Sequence, residues 1–180
     1  MKASNDFFDK IYKENFARVF NFIYSITNDR SLTEDITQEA FSKAYKNMES
    51  LRNESKISVW LNKIAYNLFL DFKRKKSPQL LTIDDESLTT KFADTKKNLS
   101  KIVEQNIMSE CVQSKIRLLP ENYCAPLLLD IHGFNNREIA NVLGCSLENA
   151  KIRLHRARKR MKEILGKDCS FYYDERNVLC

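Results

Sequence analysis

Glycine and proline are both scarce in this sequence, with three residues of each among 180. Tight hairpin turns depend heavily on such residues, so their scarcity argues against a protein built from β-hairpins and favours long helices. Long apolar runs are also missing. No stretch is long enough to cross a bilayer, and the N-terminus has no apolar segment of the signal-peptide kind. The sequence therefore predicts a cytoplasmic protein with no membrane-inserted segment.

The sequence contains two histidines and five cysteines, and no two cysteines form a CxxC pair. Cys124 and Cys145 lie in apolar helical patterns, where reduced thiols are common, so a reducing compartment is expected. A glycine-rich phosphate loop and a paired nucleophile and base are missing, which argues against an enzyme. No cofactor is expected. Cys169 and Cys180 bracket the tail segment FYYDERNVL. Two cysteines eleven positions apart with no paired ligand are weak evidence for a metal site, so a short extension that packs on the second domain is favoured.

Positive charge is in excess, because 30 Lys and Arg outnumber 24 Asp and Glu, and the pI is about 9.0. Such a balance suits an anionic partner. Residues 134–160 have the pattern of a helix-turn-helix. Asn135 and Glu138 have the spacing of a reciprocal N-terminal cap for its first helix. Gly144 suits the turn that ends this helix, and Ser146 can cap the next one.

The second helix of this motif combines an apolar stripe with a cationic remainder. The stripe has spacings of 3, 4, 3 and 4, as one buried face requires, and consists of Leu147, Ala150, Leu154, Ala157 and Met161. Between residues 147 and 163, seven Lys or Arg stand against two Glu. A solvated charged face is the simpler interpretation. The mutually consistent caps, turn and charge instead favour a helix that lies in the major groove of DNA.

The first half of the chain also has helical patterns. An aromatic-rich helix is predicted for residues 5–28, and Ser31 with Glu34 predicts a capping box for a second helix that ends near Met48. A third helix is predicted for residues 58–76, and it ends in the four cations KRKK. These cations suit either the negative end of a helix dipole or contact with nucleic-acid phosphates.

These patterns predict an all-α protein of two small helical domains joined by a flexible linker. Helical periodicity fades across residues 79–105, where Asp84, Asp85 and Glu86 form an acidic cluster. A connection this long is unusual inside one compact domain and argues for two. The expected division is a first domain over 1–78, the linker over 79–105, a second domain over 106–166 and an extension over 167–180.

The order of these features resembles that of bacterial RNA polymerase sigma factors, and the extracytoplasmic-function (ECF) group of the sigma-70 family most of all. The segment LTEDITQEAFSKAY at 32–45 is similar to the polymerase-clamp-binding part of sigma region 2. The segment SVWLNKIAYNLFLDFKRKK at 58–76 is similar to the part of region 2 that reads and opens the minus-ten promoter element. Residues 116–160, which include the helix-turn-helix, resemble region 4.

This resemblance implies a promoter-recognition subunit that binds core RNA polymerase, directs initiation and helps to open the minus-ten element. Contact with the polymerase clamp is implied for Asp35, Gln38 and Glu39. The loop 51–57 would capture a flipped base, and contact with the minus-ten element is implied for Asn53, Lys56, Lys63, Tyr66, Asn67, Lys73 and Arg74. Reading of the upstream minus-thirty-five element is implied for Asn149, Lys151, Ile152, Arg153, His155 and Arg156.

The expected partners are core RNA polymerase, promoter DNA and an anti-sigma factor. The main alternative is a stand-alone helix-turn-helix regulator, which would need a dimerisation element or a ligand-binding domain. A helical interaction adaptor is a third interpretation, and it would not require Asp35 and Gln38 to bind polymerase. On the resemblance, the protein is not an enzyme, holds no metal and acts in the bacterial cytoplasm.

Overall fold

A computed structural model describes residues 2–51, 53–76 and 114–168. These residues form the helices α1 (Lys2–Thr27), α2 (Arg30–Lys46), α3 (Ile57–Lys76), α4 (Glu121–Ile131), α5 (Asn136–Leu143) and α6 (Leu147–Asp168). Two short 3-10 helices, Met48–Ser50 and Glu54–Lys56, lie between α2 and α3. No strand occurs in this part of the chain, so the predicted all-α class is confirmed. The predicted linker, its acidic cluster and the two tail cysteines lie outside the described residues.

The first domain is a three-helix unit in which α1, α2 and α3 pack against one another. Aromatic rings fill the contact between α1 and α2. Phe8 meets Tyr45 at 5.0 Å between ring centroids, and Tyr12 meets Phe41 at 4.9 Å, both edge to face. Such pairs contribute about 0.5 to 1.5 kcal/mol beyond their buried area. The aromatic residues of the first predicted helix therefore serve packing.

The N-terminal cap of α2 differs from the sequence prediction. Asp29 precedes the helix, and its carboxylate accepts a hydrogen bond from the backbone N–H of Leu32 at 3.0 Å. Ser31 lies inside the first turn. Glu34 does not reach back to a cap but pairs with Arg30 at 2.9 Å. The predicted Ser31–Glu34 capping box is therefore wrong.

Neighbouring residues explain why the cap is Asp29. The hydroxyl of Thr33 donates to the backbone carbonyl of Asp29 at 2.6 Å, which fixes the first turn from that residue. Asn28 takes a positive φ of 51°, so the chain leaves α1 there. Asparagine tolerates this left-handed conformation better than most residues. The break and the cap are thus adjacent, and α2 begins one residue earlier than Ser31.

The helix-turn-helix forms as predicted. Asn135 Oδ1 accepts from the backbone N–H of Glu138 at 3.1 Å, while Glu138 Oε2 accepts from the N–H of Asn135 at 3.0 Å. This reciprocal pair completes a capping box at the start of α5. Gly144 follows α5 with φ of 64°, a conformation that glycine adopts at little cost. Ser146 Oγ then accepts from the N–H of Asn149 at 3.1 Å.

The apolar stripe of α6 faces α4 and α5, as its spacing predicted. Its buried members are Ala150, Leu154, Ala157 and Met161. Leu147, at the first position of the stripe, is only partly buried. Within the described residues, the second domain therefore forms an apolar core behind the cationic face of α6.

The two domains also pack directly on each other. α3 of the first domain contacts α5 of the second, and α1 contacts α4. Buried side chains from both domains belong to one hydrophobic cluster. Tyr66, in the middle of α3, is only 5% exposed. The sequence predicted two domains, but this contact between them was not predicted.

A histidine lies at the contact between α1 and α4. His132 follows the last residue of α4, and its Nδ1 has no hydrogen-bond partner among the described residues. Burial lowers the pKa of its imidazole, and the cation of Arg18 on α1 lowers it further. The docked fold therefore favours the neutral ring.

Asp29→Ala should destabilise the protein by about 1 kcal/mol, because the N–H of Leu32 loses its cap. For a chain of this size, that loss lowers the Tm by about 2 to 4 °C. Ser31→Ala, two residues further along the chain, is the matched control and should leave the Tm unchanged. Thermal unfolding followed by circular dichroism measures both variants. A larger loss from Ser31→Ala than from Asp29→Ala would contradict the observed cap.

Stability should fall as the pH is lowered from 7.5 to 5.5. The unfolded chain binds a proton at His132 more readily than the docked fold does, so stability is lost below the ordinary histidine pKa of about 6.5. His132→Gln should remove much of this dependence of the Tm on pH. His155→Gln is the control, since His155 is exposed on α6. Equal pH dependence in wild type and His132→Gln would disprove this role.

Candidate nucleic-acid interface

The outer face of α6 carries most of the residues that the sequence assigned to the upstream element. Lys151, Ile152, His155 and Arg156 are all exposed and lie opposite the buried stripe. Ile152 is 51% exposed, although it is apolar. A single exposed apolar side chain is ordinary at a protein surface, so the cations around Ile152 are what suit this face to nucleic acid. The structure therefore brings these residues together on one face.

Arg153 and Asn149 lie nearer to the rest of the protein. Arg153 is half-buried, and its cation is close enough to Tyr66 and Cys145 to lower their pKa values against the larger, opposing effect of burial. This places Arg153 toward the first domain. Asn149 is half-buried in the first turn of α6. These two residues lie beside the exposed face and not at its centre.

One cation of α6 has a structural partner. Arg158 Nη2 donates to both carboxylate oxygens of Asp130 on α4, at 2.9 and 2.8 Å. Its place in the helical pattern predicted that Arg158 belongs to the cationic face. Because its guanidinium is engaged with α4, it braces α6 against the domain core. Arg158 stays partly exposed in this ion pair, and its neighbours Lys159 and Arg160 are exposed as well.

The residues assigned to the minus-ten element lie along α3 and the short 3-10 helix before it. Asn53 accepts from the backbone N–H of Ser55 at 2.9 Å and so caps that short helix. Beside it is a cavity of about 280 Å³. Its walls come from both domains, and its lining residues are Ser50, Leu51, Asn53, Lys56, Val59, Trp60, Lys63 and Asn141.

Three lysines of this surface have partners in the second domain. Lys56 Nζ donates to Glu138 Oε1 at 2.7 Å, and Lys63 Nζ donates to Asn141 Oδ1 at 2.8 Å. Lys73 pairs with Glu121 at the first turn of α4. The hydrogen bond from Lys56, followed by the one from the backbone of Asn135, lowers the pKa of Glu138. These partners were not predicted, because a polar residue on a helix surface carries no sign of a contact from a distant segment.

The other members of this group differ in their surroundings. Tyr66 is buried, and burial followed by the charge of Glu121 raises the pKa of its phenol. Asn67 is exposed. Arg74 is exposed and pairs within α3, with its guanidinium 2.6 Å from Asp71. In this conformation, therefore, the surface presents Asn67 and Arg74 to solvent but covers Tyr66.

The residues assigned to polymerase lie together on α2. Asp35, Gln38 and Glu39 are all exposed, and they follow one another along one side of the helix. Glu39 pairs with Lys43 one turn further, at 3.1 Å. Behind them, Ile36 and Ala40 are buried in the first domain. The helix is therefore fixed by its core face and leaves the polar face accessible.

The described residues hold neither a metal-ligand cluster nor a membrane-spanning helix. The described part of the chain contains no group of three or more His, Cys, Asp or Glu placed to hold a metal ion. Cys124 and Cys145 are free thiols, and burial raises the pKa of Cys124 to about 12. Among the described helices, none has the length and apolar character that a bilayer crossing requires.

Comparison with known proteins gives consistent matches over most of the chain. The family models Sigma-70 region 2 and Sigma-70 region 4 match residues 11–79 and 109–161. The ECF RNA polymerase sigma factor SigM of Bacillus subtilis is 32% identical over 160 residues, which cover 88% of this chain and 95% of SigM. The ECF RNA polymerase sigma factor SigW of the same organism is 32% identical over 168 residues, covering 86% and 85%.

The fold also matches a solved structure. The sigma factor RpoE of Bartonella quintana, determined in complex with the anti-sigma factor NepR, has a TM-score of 0.68 with this chain. The match covers 89% of this chain and 98% of RpoE at 22% identity. At that identity the likeness concerns the fold.

Two helical domains, one of them bearing a cationic helix-turn-helix, and the two matching family models define a sigma factor of the sigma-70 family. Such a protein is a promoter-recognition subunit of bacterial RNA polymerase. Within that family, the chain belongs to the ECF group, as its identity to SigM and SigW shows. The predicted family and general function are confirmed, and the stand-alone regulator is not favoured.

Proposed function

We propose that this sigma factor uses three separate surfaces: the exposed face of α2 for core polymerase, the exposed face of α6 for the upstream element, and α3 with loop 51–57 for the minus-ten element. The observation that carries this proposal is the exposed face of α6, where cations flank an apolar side chain in front of a buried stripe. The proposed domain limits are 1–78, 79–105, 106–166 and 167–180.

Upstream reading combines phosphate contacts with a small number of base contacts. Lys151 and Arg156 are exposed on α6 and can reach phosphates or base edges of the major groove. A guanidinium fits the two acceptors of guanine, whereas an apolar side chain fits the methyl group of thymine. Arg156 and Ile152 are therefore the proposed base-reading pair. Arg153, which lies toward the first domain, is proposed to contribute to recognition of the upstream element beside them.

Minus-ten recognition requires a base to leave the stack. Extrusion costs a few kcal/mol, which pocket contacts and stacking offset. The first-domain side of the cavity supplies Trp60 as an aromatic wall, and it supplies Lys56 and Lys63, now paired with Glu138 and Asn141, as cations for the backbone. Tyr66, Asn67, Lys73 and Arg74 extend this surface along α3. Polymerase supplies the catalytic chemistry, and the sigma factor itself is proposed to have none.

An anti-sigma factor is the proposed regulator of this chain. RpoE of Bartonella quintana was determined with such a partner, NepR, and shares the fold. A protein that covered either DNA-reading surface would silence initiation. Because the proposed partners of the chain are polymerase and promoter DNA, we place its action in the bacterial cytoplasm.

Arg156→Ala should weaken the initiating complex at a cognate promoter by about 1 to 3 kcal/mol, since one bidentate base contact is lost. Affinity of the polymerase holoenzyme for promoter DNA, measured across a library of upstream sequences, is the test. The sequence preference at one base pair should relax, while the preferences at the other positions should stay unchanged.

Lys162→Ala is the matched control for this variant. Lys162 is exposed near the far end of α6 and loses one positive charge in the same way. It should weaken all promoters slightly and equally. If Arg156→Ala also weakened all sequences equally, Arg156 would be a phosphate contact and not a base reader.

Asp35→Ala combined with Gln38→Ala should weaken binding to core polymerase about tenfold or more, because both side chains are exposed on α2 and would lose charge-assisted or polar contacts. The measurement is competition with a labelled sigma factor for core enzyme in the absence of DNA. Arg30→Ala, exposed at the start of the same helix, is the control and should compete normally. Undiminished binding by the double variant would restore the adaptor interpretation.

A further inference from the structure

We propose that the ion pair between Asp130 on α4 and Arg158 on α6 fixes the rotation of α6 about its own axis. Asp130 is thereby a positioning residue that sharpens the base preferences at the upstream element, although its helix carries none of the proposed readers. This inference rests on the proposed role of α6 in reading that element. It adds a specificity-determining residue that lies outside the reading helix.

The buried stripe of α6 leaves the rotation of this helix weakly determined. Its members are Ala150, Leu154, Ala157 and Met161. At about 100° for each residue, they span about 60° of the circumference, whereas the apolar stripe of a surface helix usually covers about 100° or more. Beyond the stripe, Ile164 and Leu165 are only partly buried. Because two members are alanines and the methionine side chain is flexible, the stripe holds α6 close to the core but resists its rotation weakly.

The ion pair lies at the edge of this stripe. By the same count, Arg158 is about 70° around the helix from the centre of the stripe. Its Nη2 donates to the two carboxylate oxygens of Asp130 at 2.9 and 2.8 Å. A contact at the centre of the stripe fixes the distance between two helices, whereas a contact at its edge opposes rotation. Arg153, at a similar angle on the other edge, lies toward the first domain, so the brace inside the second domain comes from Asp130.

The proposed base readers are sensitive to this rotation. Ile152 and Arg156 lie within two turns of Arg158 and opposite the buried stripe. A rotation of α6 by about 20° displaces an atom about 6 Å from the axis by about 2 Å. Base contacts need placement within about 0.5 Å and about 10–20°, so such a displacement breaks them. Lysine contacts to phosphates tolerate it, because the ammonium group is a point charge on a flexible stem, so loss of the ion pair should cost discrimination rather than affinity.

Two simpler roles for the ion pair make different predictions. The Arg158 side chain is 60% exposed and that of Asp130 is 27% exposed, so the pair contributes little to the free energy of unfolding. A purely structural role therefore predicts no change in DNA recognition when the pair is lost. Arg158 also follows Lys151 by seven residues, so the two cations lie on one side of α6. If Asp130 only held Arg158 back from a phosphate, loss of Asp130 would strengthen binding to every sequence.

The first test variant is Asp130→Ala, which removes the partner and leaves every cation of α6 in place. Alanine is favourable in the last turn of α4, where a carboxylate opposes the helix dipole. Glu163→Ala is the matched control, because it removes one negative charge from an exposed site of α6. Circular dichroism verifies folding. Each full-length protein is bound to core polymerase, and promoter affinity is measured across a library with a randomised upstream element at several salt concentrations.

The expected result is a loss of preference without a loss of binding. In Asp130→Ala, the strongest upstream base preferences should fall about threefold or more, because a loosely held helix no longer meets its bases at one angle. Mean affinity over the library should stay within about twofold, and its salt dependence should not change, since no cation is lost. The Tm should shift by about 2 °C or less. Glu163→Ala should keep the preferences of the wild type.

An exchanged pair tests whether the ion pair itself is responsible. Asp130→Arg alone places two guanidinium groups against each other and should also flatten the base preferences. Asp130→Arg combined with Arg158→Asp reverses the ion pair and should restore the preferences to within about twofold of the wild type. Overall affinity of the double variant should fall, because α6 becomes less positive. A preference is a ratio of affinities, so this uniform loss does not obscure the result.

Several results would overturn the inference, and they can be told apart. Unchanged preferences in Asp130→Ala and Asp130→Arg, with preferences still relaxed by Arg156→Ala, would show that the pair does not position α6. Uniformly tighter binding with a steeper salt dependence would show that Asp130 merely holds Arg158 away from a phosphate. Relaxed preferences that the exchanged pair does not restore would show an effect of Asp130 unrelated to Arg158. If Arg156→Ala also changed no preference, the proposed reading by α6 would fail as well.

Discussion

Three lysines face the second domain, Lys56 just before α3 and Lys63 and Lys73 within it, and the position of that domain depends on how their ammonium groups are paired. In the observed conformation, carboxylates and an amide of the second domain provide the partner. In the proposed promoter complex, phosphates would do so. The two solutions use the same ammonium groups, so they compete. The relative position of the domains is therefore linked to the occupancy of one charged helix.

Much of the local structure could be predicted from the sequence. The capping box at Asn135, the glycine turn and the hydroxyl cap at Ser146 were predicted, because each is fixed by residues within four positions of one another. The start of α2 was not predicted correctly. Both Asp29 and Ser31 can cap a helix, and the choice depends on Asn28 and on the hydroxyl of Thr33, which sequence spacing does not rank.

Contacts between domains were beyond sequence reasoning. Lys56 and Glu138 are 82 positions apart, and helical periodicity carries no information over that separation. The same limit applies to Arg158, which its pattern placed with the cationic face but which Asp130 holds against α4. Residue types predicted a candidate interface of cations and polar groups on helices. Which of them face solvent in a given conformation depends on tertiary packing.

Glu138 serves the helix-turn-helix and the contact between the domains at the same time. Its Oε2 accepts from the backbone N–H of Asn135 within α5, while its Oε1 accepts from Lys56 of the first domain. The two bonds use different oxygens of one carboxylate. Loss of the bond to Lys56 therefore leaves the capping box intact, and α5 keeps its N-terminus. Since the polar contacts between the domains are partly exposed, each contributes little.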